Sequence, residues 1–311
     1  AATIDFTEAN LANADLSGAT LTADGYDDAT IDFAEANLAN ADLTDSELTA
    51  NAAYYGDALI DFAEANLADA DLSGATLIAD SNYGSATIDF TEANLASADM
   101  SGSTLTAYAG YYATIDFTEA NLASADLSGT ALTADGGYTA TIDFTEATLA
   151  DADMSGLTLT ATAGSYSGDA TINFTEANLA NADLSGTALT AKSQLYATID
   201  FAEANLANAD LSGSTITADS SYGSATINFT EANLANADLS GWNLTADTIV
   251  GLAPPPLCAD KAKACKVNKC TAYSSKKKQK CQTTCDVAPP EDKCDCFKED
   301  AKKGSKKCKI K

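Results

Sequence analysis

Histidine and arginine are absent from all 311 residues. The chain therefore lacks the commonest general base and the fork-shaped donor that clamps carboxylates and phosphates. Tryptophan occurs once and methionine twice. No cysteine precedes Cys258, and Lys192 is the one basic residue before that point. No apolar run approaches the ~18–20 residues that cross a bilayer, so no membrane span is expected. No EF-hand or nonapeptide calcium motif is present, and acidic residues gather only by repetition. No enzyme and no cofactor are expected from such a chain.

What the sequence does contain is one stretch, Thr3 to Thr22, that returns with small changes at Thr30, Leu59, Thr87, Thr114, Thr141, Thr171, Thr198 and Thr226. The nine copies are spaced by 27, 29, 28, 27, 27, 30, 27 and 28 residues. A near-fixed period in this range marks a solenoid, whose coils share one continuous core. The length alone would suggest about two domains; the repeat overrides it.

Within the first copy, large apolar residues recur every fifth position at Phe6, Leu11, Leu16 and Leu21, each preceded two residues earlier by Ile4, Ala9, Ala14 or Ala19. Spacings of three and four, as a helix needs, are missing. Alternation holds for three residues, breaks for two, and resumes. That pattern predicts short strands turning a corner every five residues, with Asp5, Asn10, Asp15 and Thr20 facing outward. The segments Ala-Asn-Leu-Ala-Asn and Ala-Asp-Leu-Ser-Gly resemble the A(D/N)Lxx motif of the pentapeptide-repeat family. The resemblance implies an all-β fold, a right-handed quadrilateral β-helix of nine coils, over residues 3 to about 245. This chain departs from the family in adding 7 to 10 residues after each fourth pentapeptide. Those residues are expected to leave one corner as a loop; Tyr26, five residues after Leu21, leaves a fifth side open as an alternative.

Stacking at ~4.8 Å per coil predicts a rod roughly 43 Å long, with inward ladders such as Phe6-Phe33-Phe62. The outward ladders are Asn10 onward, whose amides can bond along the column, and Asp5 and Asp15 onward, whose like charges repel. The acidic ladders read either as solvated faces or as a track for Ca²⁺ or for the lysines of a partner. Every inter-coil segment carries tyrosine: Tyr26, Tyr54 and Tyr55, Tyr83, Tyr108 with Tyr111 and Tyr112, Tyr138, Tyr166, Tyr196 and Tyr222. These rings either pack each loop on the next coil or form an exposed stripe for lateral contact or glycan stacking. Sequons at Asn173, Asn228 and Asn243 are candidate N-glycosylation sites.

The repeat ends near Thr245, so residues 1–250 are read as the solenoid, 251–257 as a stiff Pro-rich linker, and 258–311 as a small module. Cys258, Cys265, Cys270, Cys281, Cys285, Cys294, Cys296 and Cys308 crowd this last segment. They read as a disulfide framework in an oxidising compartment, hence an extracellular protein; eight cysteines allow ~105 pairings. A metal site is the alternative, weakened by the missing CxxC spacing and the missing histidine. The spacing is faintly similar to ShK-toxin-like cysteine domains, and no function is carried over. The start at Ala1 without Met fits removal of a signal peptide or an arbitrary boundary.

Charge divides at the linker. Of 45 acidic residues only 7 lie from Cys258 onward, while 16 of the 17 lysines do, which makes the first part −37 and the last +9. The expected function is a secreted structural protein that self-associates into a fibre or surface appendage. The assembly surface would be the first coil's Ile4, Phe6, Leu11, Leu16 and Leu21 together with Lys276, Lys277 and Lys278 of the basic tail. Two other readings stand beside it. One is a DNA mimic that inhibits an enzyme such as gyrase, a role the family resemblance implies, with no binding to nucleic acid itself. The other is ice binding through Thr-x-Thr segments such as Thr20 to Thr22, broken at Glu47 to Thr49 and Thr76 to Ile78.

Overall fold

The computed structural model describes residues 1–164 and 168–252. The cysteines, the lysine clusters and Tyr166 lie outside the described residues. Among the described residues all regular structure is β, arranged as a parallel solenoid of about nine coils. Two sides of each coil belong to long parallel sheets. One has ten strands, from Ala2–Asp5 to Thr248–Val250; the other has nine, from Thr20–Gly25 to Asn243–Thr245. The remaining two sides are narrower. Single-residue bridges stack Asn10 on Asn37 and Asp15 on Asp42, and so on along the rod. The four-sided coil read from the five-residue rhythm is thus present. Pairing is in register: Thr3 lies on Thr30, Ile4 on Ile31 and Asp5 on Asp32.

Corners form because each turn closes on itself. Within the first coil the carbonyls of Phe6, Leu11 and Leu16 accept from the amides of Ala9, Ala14 and Ala19, each at 2.9 Å. The residue before the donor adopts a left-handed backbone at every corner: Glu8 (φ 56°), Asn13 (φ 59°) and Gly18 (φ 63°). Side chains then fix the corner. Oδ1 of Asp5 accepts from the amide of Thr7 at 2.9 Å, and Oδ1 of Asp15 from that of Ser17 at 3.1 Å. Such Asx turns are why an acid or amide stands two residues ahead of each corner.

The interior is a set of identical columns. The phenylalanine rings from Phe33 to Phe229 stack at 4.9 Å, 4.9 Å, 4.8 Å, 4.9 Å, 4.9 Å, 4.9 Å and 5.0 Å, with planes within 3° of parallel. Neighbouring coils cover these rings completely; one coil could not do so alone. At the far end Trp242 leans on Phe229 at 5.8 Å and closes the column. The pairing also outlasts the sequence repeat: Thr248–Val250 adds a tenth strand, with Ile249 paired to Ile227.

The residues after each fourth pentapeptide correct the expectation of a loop. Most of them are strand. Thr20–Gly25 runs past the expected corner, and Ala29–Asp32 begins before the next copy, so only residues 26–28 turn between them. Ala23, Gly25 and Ala29 are buried, and Tyr26 is exposed, so no fifth side forms. These inward residues are small because the two sheets converge there. A Cβ on Gly25 would lie 2.0 Å from the carbonyl oxygen of Asp28, and one on Gly136 would lie 1.9 Å from that of Thr139. Serine ties the turn at other coils: Ser81 Oγ donates to the Gly56 carbonyl at 2.7 Å and accepts from the Gly84 amide at 2.8 Å. The variable period is absorbed in this turn, which shrinks to residues 110–111 in one coil and grows to 53–57 in another.

Candidate functional surface

The candidate surface of the rod is its set of outward columns, and the structure sorts them. The Asp5 column continues through Asp32, Asp61, Asp89, Asp116, Asp143, Asn173, Asp200 and Asn228 on the ten-stranded sheet. Each described member spends Oδ1 on its own corner, as Asp116 does at 2.8 Å from the Thr118 amide. Hydrogen bonding holds Asp5 below the usual carboxylate range, chiefly through the Thr7 amide. It does the same for Asp15 and Asp71, chiefly through the hydroxyls of Ser17 and Ser73. Burial pushes Asp61 and Asp116 up instead, and the flanking Asp32 and Asp89, or Asp89 and Asp143, add to the rise. These aspartates are structural first. Among the described residues no three metal-ligating side chains converge.

The asparagine column behaves as its spacing predicted. Nδ2 of Asn37 donates to Oδ1 of Asn10 at 3.3 Å, and the chain of amides continues through Asn66 at 3.2 Å, Asn94 at 3.0 Å and Asn121 at 3.1 Å. It is interrupted at Thr148 and resumes from Asn178 to Asn205 at 3.0 Å and on to Asn233 at 2.9 Å.

Two of the three sequon asparagines are built into the rod. Nδ2 of Asn173 donates to Oγ1 of Thr145 at 2.7 Å, and that of Asn228 to Oδ1 of Asp200 at 2.9 Å. Asn243 opens the last strand of the nine-stranded sheet and is exposed. The first-coil residues Ile4, Phe6, Leu11, Leu16 and Leu21 are partly buried, packed on the second coil. The outward threonines do not form a two-column array. Both positions of the strand are threonine only at Thr20 with Thr22, Thr104 with Thr106, Thr158 with Thr160, and Thr215 with Thr217.

One column escaped the sequence reading. Glu8, Glu35, Glu64, Glu92, Glu119, Glu146, Glu176, Glu203 and Glu231 all stand at the left-handed position of the first corner, with φ between 56° and 60°. All nine are exposed. At the next two corners the same conformation is held by asparagine, aspartate or serine, and by glycine at eight positions and Asp45. Glycine, asparagine and aspartate suit it; glutamate, like serine at Ser97 and Ser124, pays roughly 1–2 kcal/mol for it. The signal was in the sequence all along: glutamate fills this place in every copy.

The comparisons with known proteins bear on the fold. The model for pentapeptide repeats matches in eight copies, including residues 4–23 and 172–191. This chain belongs to the pentapeptide-repeat family. Among solved structures it is similar to HetL, a pentapeptide-repeat protein involved in heterocyst differentiation regulation from the cyanobacterium Nostoc, at 22% identity over 76% of this chain and 90% of that one, with TM-score 0.23. A pentapeptide-repeat protein of the Arabidopsis thaliana thylakoid lumen aligns at 21% identity over 48% of this chain and 63% of that one, with TM-score 0.18. A trypsin-treated form of QnrB1, a plasmid-mediated fluoroquinolone resistance protein, aligns at 15% identity over 72% of this chain and 90% of that one, with TM-score 0.26. No curated protein sequence matches the chain. Two of the four sides of each coil are extended by the residues added between copies.

Proposed function

We propose that the protein is a secreted, non-catalytic structural rod that builds an extracellular fibre or surface appendage. The Lys-rich segment after Cys258 of one copy binds the glutamate column of the next. The observation that carries this reading is the column itself. Nine exposed glutamates stand where the backbone favours glycine, in a chain that holds 16 of its 17 lysines after the linker. Carboxylates ~5 Å apart on adjacent rungs repel, and a lysine-rich partner relieves that repulsion. Such contacts are screened by salt. The eight cysteines support an oxidising compartment.

The test is light scattering and negative-stain imaging of the full chain across salt and concentration. Elongated particles that grow with concentration at low salt, and come apart in high salt or reductant, are expected. A variant with Glu92→Gly, Glu119→Gly and Glu146→Gly should keep its fold, because glycine is at ease at positive φ, and should assemble more weakly. A chain that stays monomeric at low salt, or a variant that assembles as well as the parent, overturns the proposal.

A second reading is an anionic mimic of duplex DNA that inhibits an enzyme such as gyrase. It is favoured by the inserts lying largely within the sheets, which among the described residues leaves both long faces free of projecting loops. Inhibition of gyrase supercoiling by the full chain would support it, and no inhibition would remove it.

A further inference from the structure

The edge where the two sheets meet is lined with tyrosine, and the rings touch one another. Tyr26 stacks on Tyr54 with centroids 5.3 Å apart and planes 22° from parallel. Tyr55 lies 5.5 Å from Tyr83, and Tyr111 lies 5.4 Å from Tyr138. Each pair joins two successive coils. The rings remain open to solvent: Tyr26 is 70% exposed, Tyr55 63%, Tyr83 52%, Tyr111 39% and Tyr138 44%. Both expectations are met in part: the rings form an exposed stripe, and each pair packs one turn on the next. Tyr26 and Tyr54 turn one ring face each to the other.

Mutual contact, solvent access and easy one-electron oxidation together make a coupling site. We infer that this edge is a site of dityrosine formation, a covalent staple between successive coils at Tyr26–Tyr54, Tyr55–Tyr83 and Tyr111–Tyr138. The co-reactant is a one-electron oxidising system, hydrogen peroxide with a haem peroxidase. Each phenol gives up one electron and its hydroxyl proton. The two phenoxyl radicals join through a carbon–carbon bond between ring carbons ortho to oxygen. Each coupled ring then moves its ortho hydrogen to oxygen, restoring the phenol. One peroxide takes up the two electrons and two protons and leaves as two waters, so each staple costs the protein two hydrogen atoms. The other readily oxidised side chains of the rod are shielded: Met100, Met154 and Trp242 are buried. Oxidant reaching the rod's surface therefore meets tyrosine first.

The test uses the full chain in salt high enough to hold copies apart, so that it does not depend on fibre assembly. Peroxidase and peroxide are added, dityrosine fluorescence is read, and the monomer is digested with Asp- and Glu-specific proteases, since lysine occurs in the rod only at Lys192. Blue fluorescence in monomer-sized protein is expected, with linked peptides joining Tyr26 to Tyr54, Tyr55 to Tyr83 and Tyr111 to Tyr138. A variant with Tyr54→Phe, Tyr55→Phe and Tyr111→Phe should lose dityrosine several-fold while its circular dichroism is unchanged. Tyr108→Phe, on an exposed ring within a strand and apart from these pairs, should leave the yield as it was. Absence of dityrosine, links found only between separate molecules, or an undiminished yield in the triple variant overturns the inference.

Discussion

Asp116→Asn should stabilise the rod at neutral pH and lose that advantage in acid. Asp116 sits between Asp89 and Asp143 in the aspartate column. Burial raises its carboxyl first, and the charges of Asp143 and Asp89 add to the rise against the hydrogen bonds from Thr118. The same column already accepts asparagine. Asn228 keeps the corner bond, its Oδ1 accepting from the Thr230 amide at 3.0 Å, and its Nδ2 adds a donor to Asp200 Oδ1 at 2.9 Å. The substitution therefore removes two like-charge contacts while keeping the turn, and supplies a donor toward Asp89. Each like pair on adjacent strands costs roughly 0.2–1 kcal/mol, so about 1 kcal/mol is gained in all. For a rod of this size that is a rise in Tm of about 2–4 °C. A carboxyl raised in the folded state contributes stability below its unfolded value of ~3.9 and loses it as pH rises through the folded value. The parent therefore recovers at pH ~4 what the variant has at pH 7, and the two melting curves should converge there. Calorimetry or circular dichroism at both pH values, in modest salt, measures this. A variant that melts lower than the parent at pH 7, or an advantage that persists undiminished at pH ~4, refutes the reasoning.

Two further substitutions test the columns. Thr148→Asn fills the gap in the amide ladder between Asn121 and Asn178, and the restored bonds should add about 0.5–1.5 kcal/mol each, read as a shift of the urea midpoint. Trp242→Ala uncovers the end of the phenylalanine column at Phe229 and should cost about 3–5 kcal/mol in the last coils; hydrogen exchange should show faster opening around Ile227 and Phe229 than around Ile115 and Phe117, and uniform protection along the rod would contradict it.

The coil was legible because its chemistry repeats every five residues. Phe6, Leu11, Leu16 and Leu21 announce the sides, and Asp5-Phe6-Thr7 and Asp15-Leu16-Ser17 announce the corner bonds that the structure shows. The extension was misread because Ala23-Asp24-Gly25 has the composition of a loop. Its alternation, with Ala23 and Gly25 inward and Asp24 out, was the clue. Converging sheets demand small inward residues, and small residues carry little hydrophobic signal. The tyrosine pairs depend on turn lengths that differ from coil to coil, so no local pattern foretells which rings meet. The sign of φ at Glu8 was hidden for the opposite reason: glutamate is a type that rarely adopts it.

Two kinds of acid that composition counts alike differ in what the fold asks of them. The aspartates of the Asp5 and Asp15 columns are held by the fold: each accepts at Oδ1 from a corner amide, as Asp32 does from Ala34 at 2.9 Å and Asp42 from Thr44 at 3.0 Å. Replacing them with an apolar residue would leave that corner amide without its partner, whatever the charge is for. Glutamate at the first corner supplies no such bond among the described residues, and its backbone would be more comfortable as glycine or asparagine. Nine repetitions of a locally unfavourable residue, all exposed, run against stability in every coil. The charge of the aspartate columns follows from making a four-sided coil; the charge of the glutamate column does not. The column proposed to bind a partner is therefore the one whose charge the coil itself does not require.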